Sequence, residues 1–101
     1  MVKKRIMNVG VQVLPLVEDV YPIVDKAIEA IQASGVKYEI GPLETTLEGD
    51  DLDQLLEVAK SAHRACFAAG ARKVVTIIKI AEALEGTSIE EKVGKYRRVN
   101  S

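Results

Sequence analysis

Residues 38–50 read YEIGPLETTLEGD. Polar and apolar side chains alternate on either side of Gly41-Pro42, the period of an extended chain rather than a helix. The stretch therefore predicts two strands, 36–40 and 43–48, bent apart at Gly41-Pro42. Where they sit in the chain decides the fold, because each flank carries a helical pattern.

On the N-terminal side, Ile23, Val24, Ala27, Ile28 and Ile31 repeat at helical spacing. Pro22 suits the first turn, where its missing N–H costs nothing, and Gly35 is a left-handed stop. Before that helix, residues 6–14 (IMNVGVQVL) alternate, with Met7, Val9, Val11 and Val13 on one face and Asn8, Gly10 and Gln12 on the other. On the C-terminal side, Asp50 or Asp51 can cap a second helix whose apolar positions run Leu52, Leu55, Leu56, Ala59, Ala62, Cys66 and Phe67. Gly70 ends it. KVVTIIKI, residues 73–80, forms a fourth strand. Ser88 and Glu91 have capping-box spacing and predict a short closing helix. The predicted order is β-α-β-β-α-β, a single α+β domain over residues 1–101. This is the ferredoxin-like arrangement: a four-stranded antiparallel sheet, two helices on one face, and a short C-terminal helix.

Bulk properties narrow the function. Of 101 residues, 48 % are hydrophobic but only 4 % aromatic, so the core is built from aliphatic side chains. Fourteen basic residues against fifteen acidic ones give a net charge of −1, without the basic excess of a nucleic-acid binder. The single cysteine, Cys66, excludes an internal disulfide. No apolar run is long enough to span a membrane. Lys3, Lys4 and Arg5 precede an apolar stretch as in a signal peptide, yet Asn8, Gly10 and Gln12 interrupt it at strand spacing. The expected location is the cytoplasm. There is no Gly-rich phosphate loop, no Cys-x-x-Cys and no His pair at metal spacing.

The expected fold leaves one sheet face without helices. Asn8, Gly10, Gln12, Lys37 and Glu39 belong there, with some of Glu44, Thr46 and Glu48. The fourth strand is apolar on both sides, Val75 and Ile77 on one and Val74, Ile78 and Ile80 on the other. Such a strand is usually covered on both sides, which predicts a second subunit against the open face or the strand edge. Glu39, Glu44 and Glu48 are either solvated or hold a cationic or amino-bearing ligand, with acid–base catalysis as a further option. Lys79 interrupts an apolar strand and either reaches solvent or faces a site. His63 lies within the apolar arc of the second helix, as a packed residue or a general base. Cys66, one turn on, reads as a buried, inert thiol rather than half of a nucleophilic pair. The basic end of IEEKVGKYRR suits a helix terminus or a subunit contact better than nucleic acid.

Three pieces carry a resemblance: KYEIGP (37–42), TTLEG (45–49) and EEKV through KYR (90–97). In this order and spacing, from about Val9 to Arg97, the chain resembles the YkoF-like, MTH1187-type thiamine-binding proteins. The resemblance implies a ferredoxin-like fold in homodimers or homotetramers. It also implies non-enzymatic cytoplasmic binding of thiamine or its hydroxymethylpyrimidine moiety at or near a subunit interface, with no further cofactor and no metal. Within the matched motifs, ligand chemistry points to Glu39 and Glu48 for amino or cationic groups. Gln12, Thr45 and Thr46 would bond the ring edge, and Pro15, Leu16 and Pro42 would give apolar contact. A competing reading is an oligomeric regulatory or interaction module that takes no thiamine.

Overall fold

A computed structural model describes residues 5–85. The elements follow the expected order: β1 (Met7–Pro15), α1 (Tyr21–Ser34), β2 (Lys37–Ile40), β3 (Thr45–Gly49), α2 (Leu52–Ala68) and β4 (Val74–Ala81). The closing helix expected from Ser88 lies outside the described residues. The sheet order is β2-β3-β1-β4 with every neighbouring pair antiparallel. This is the ferredoxin-like α+β sheet, with both helices packed on one face.

The local signals act as their chemistry requires. Pro22 sits in the first turn of α1, and Gly35 ends the helix at φ 80°, where a side chain would be strained. Of the two candidate caps for α2, Asp51 is the one used, its carboxylate accepting from the Gln54 amide at 3.2 Å. Gly41 donates its amide to the Glu44 carbonyl at 2.9 Å and closes the β2–β3 hairpin around Pro42-Leu43. The third strand begins at Thr45 rather than Leu43, because this turn uses the residues up to Glu44.

The core lies between helices and sheet. Met7, Val9 and Val11 from β1 and Leu47 from β3 meet Ile23, Ala27 and Ile31 of α1 and Leu55, Val58, Ala59, Ala62 and Cys66 of α2. Val9, Leu47 and Leu55 are wholly inaccessible. Each such side chain contributes roughly 1.5–3 kcal/mol by leaving water. The expected alternation on β1 therefore holds: its odd-numbered residues face the helices.

Candidate functional site

Strand register sets out the open face row by row. Lys37, Glu48, Asn8 and Ala81 stand side by side across β2, β3, β1 and β4. The next row is Glu39, Thr46, Gly10 and Lys79. Beyond it Gln12 pairs with Ile77, and Leu14 with Val75. The centre of this face is polar and charged. Its β4 end is apolar and exposed, with Leu14, Val75 and Ile77 each about two-fifths accessible. Ile78 and Ile80, on the other side of β4, are exposed as well. A strand apolar on both faces thus keeps exposed apolar side chains on each of them among the described residues.

Two carboxylates on this face are held in different ways. Glu48 pairs with Lys37 at 3.0 Å, and its side chain is only 9 % accessible. Glu44, just before β3, lies over Gly10 of the neighbouring β1, so close that a Cβ on Gly10 would stand 2.8 Å from its Oε2. A glycine inside a strand often marks such an approach. That Oε2 atom is buried and accepts no hydrogen bond. The Lys79 ammonium stands 3.5 Å from it, an ion-pair distance that misses hydrogen-bonding geometry. A buried oxygen that accepts no hydrogen bond is costly and calls for a donor. Asn8 Oδ1 is the other such atom among the described residues.

Beside Glu44, a cavity of about 150 Å³ opens under the hairpin, between α1 and the sheet. Its walls include Val24, Ile28 and Ile31 of α1, and Gln12, Pro42, Glu44 and Thr45. The β1–β3 pairing ends at Val11 and Thr45, so residues of both sheet faces border this cavity. An apolar cavity of this size can take one six-membered ring.

The eight residues singled out for ligand contact do not form one cluster. Glu39, Thr46 and Glu48 lie on the open face. Gln12, Pro42 and Thr45 border the cavity. Thr45 is 8 % accessible and faces the helices, opposite to Thr46, because adjacent strand residues alternate. Pro15 is buried at the far end of β1, paired with Val74, and Leu16 is exposed beyond it, bonded to Lys73. Neither belongs to the cavity or to the polar rows. Glu44, outside those eight, is the carboxylate with a buried oxygen that accepts no hydrogen bond. Gly10 was its signal in the sequence.

The α2 residues have structural partners. His63 Nδ1 lies 2.6 Å from Thr76 Oγ1, and its ring meets Phe67 edge-on at 5.3 Å. Cys66 is fully buried, its thiol directed at the Ala62 carbonyl, and burial pushes its pKa up. A nucleophilic thiolate is disfavoured there. Among the described residues no His, Cys, Asp or Glu cluster can hold a metal ion. None of the described helices is long and apolar enough to cross a membrane.

Residues 9–97 match the profile of a family described as "Thiamine-binding protein". A UPF0045 protein of Clostridium perfringens is 50 % identical over 92 residues, 89 % of this chain and 96 % of that protein. A domain of unknown function from Bacillus cereus superposes with TM-score 0.84 at 50 % identity, covering 93 % of this chain and 92 % of that one. A proposed thiamine biosynthesis/salvage protein of Thermotoga maritima superposes with TM-score 0.81 at 37 % identity, covering 91 % and 99 %. The chain belongs to the thiamine-binding protein family, the YkoF-like group that its motifs resemble.

Proposed function

We propose that this protein binds thiamine or its hydroxymethylpyrimidine moiety without turning it over. The site is the Glu44 carboxylate and the adjoining cavity, completed by a second copy of the chain. The observation that carries this reading is the buried Glu44 Oε2, which accepts no hydrogen bond and has the Lys79 ammonium only at a long 3.5 Å. An aminopyrimidine supplies one through its amino group, and a hydrogen bond to a charged acceptor is the stronger kind. The ring takes the cavity, against Ile28 and Pro42, with Gln12 and Thr45 near its edge. The thiazolium of thiamine extends outward, toward charge rather than apolar wall. Family membership supports the ligand class.

The second copy is favoured by the exposed Leu14, Val75 and Ile77, which border the polar rows. The same patch also suits a purely oligomeric interaction module. Titration calorimetry with thiamine and with hydroxymethylpyrimidine separates the two readings, with light scattering for the chain count. Glu44→Gln should weaken both ligands about tenfold or more, near the value of one charge-assisted bond. Glu39→Gln, at an exposed edge position, should change affinity less than twofold. Wild-type protein that self-associates but ignores both ligands is the interaction module. Glu44→Gln with wild-type affinity removes Glu44 from the site.

A further inference from the structure

Lys79 is the remaining charged group at this site. It interrupts the apolar β4, stands beside Gly10 in the strand register, and holds its ammonium 3.5 Å from Glu44 Oε2. The other described cation in the polar rows, Lys37, is engaged by Glu48. The Lys79 side chain is 69 % accessible, so it can swing a short way without breaking core contacts. The site therefore presents a carboxylate and an ammonium side by side. A ligand that offers only a donor satisfies Glu44 and leaves Lys79 with a weakened partner. A ligand that offers a donor and an anion next to each other satisfies both.

Resting on the binding reading above, we propose that Lys79 sets the ligand form. It selects a 4-aminopyrimidine whose neighbouring ring carbon carries a phosphomethyl group over the same ring with a free hydroxymethyl. The amino group and the phosphate arm leave adjacent ring atoms, which matches the adjacency of Glu44 and Lys79. Thiamine monophosphate carries its phosphate at the far end of the thiazolium, beyond this pair, and gains nothing from Lys79. Binding exchanges the long Glu44–Lys79 contact for two shorter, charge-assisted ones. No bond is made or broken.

The test compares three probes: hydroxymethylpyrimidine, its phosphate ester and thiamine monophosphate. Each is titrated into wild-type protein, Lys79→Met and Lys79→Gln. The glutamine variant guards against association through the enlarged apolar patch of the methionine variant. Wild type should prefer the phosphate ester to the free alcohol by about fivefold, the scale of a partly exposed charge pair. Both variants should abolish that preference, while the affinity of thiamine monophosphate relative to the free alcohol stays within about twofold of the wild-type ratio. A preference that survives in both variants overturns the role of Lys79 and leaves the binding function standing, as does a wild type that prefers the free alcohol. Wild-type protein that binds none of the three probes overturns the binding function, and this inference with it.

Discussion

The two faces of one sheet follow opposite rules. Toward the helices, Val9, Val11 and Leu47 meet aliphatic partners and are almost or wholly inaccessible. Toward the open side, the described residues of these strands and of the turn before β3 include the Lys37–Glu48 and Lys79–Glu44 ion pairs, and Asn8 Oδ1 and Glu44 Oε2 are buried there without a hydrogen bond. Alternating residues of a single strand, Gly10 between Val9 and Val11, serve both. The helix face explains why the chain folds. The open face carries polar groups that folding alone does not require, and the proposed ligand site accounts for them.

This contrast can be broken from either side. The largest effect should come from the helix face. Leu47→Ala empties a fully buried position at the centre of the core, and the expected loss is about 2–5 kcal/mol of unfolding free energy, read from urea denaturation. A loss below about 1 kcal/mol would mean that the core collapses around the gap or is less tightly packed than the burial implies.

A smaller and opposite pattern should come from the open face. Gly10→Ala places a methyl group where Glu44 Oε2 now lies. The far end of a flexible side chain can yield, and Gly10 has no positive φ to strain. Stability should therefore change by no more than about 1 kcal/mol, and even rise, as the unfolded chain loses freedom. Affinity for hydroxymethylpyrimidine should nevertheless fall about fivefold or more, because the carboxylate is displaced. A variant that loses stability and affinity together would tie Gly10 to folding rather than to the position of Glu44.

The fold was legible because strand and helix periods are written directly in the spacing of apolar residues. Val9, Val11 and Ile23 through Ile31 report their own faces, and Pro22, Gly35 and Asp51 report where elements start and stop. The site was only partly legible. Alternation alone separates Thr45 from Thr46, yet their shared hydroxyl chemistry grouped them together. Choosing among Glu39, Glu44 and Glu48 needs the pairing of β1 with β3, a long-range register that local spacing does not contain. That register brings Gly10 beneath Glu44, and the pairing of β1 with β4 sets Lys79 next to it. Pro15 and Leu16 were placed by their apolar character, but β1 runs on past the hairpin end and carries them away from the cavity. The expected cover over β4 rests on the same logic as before, now with its exposed residues in place.

The most direct measurement is a crystal structure of the protein with hydroxymethylpyrimidine bound. The ring should lie under the β2–β3 hairpin, its amino group donating to Glu44 Oε2 within hydrogen-bond distance. A ring seated on the α2 side near His63 and Thr76, with that carboxylate oxygen still lacking a donor, would contradict the account.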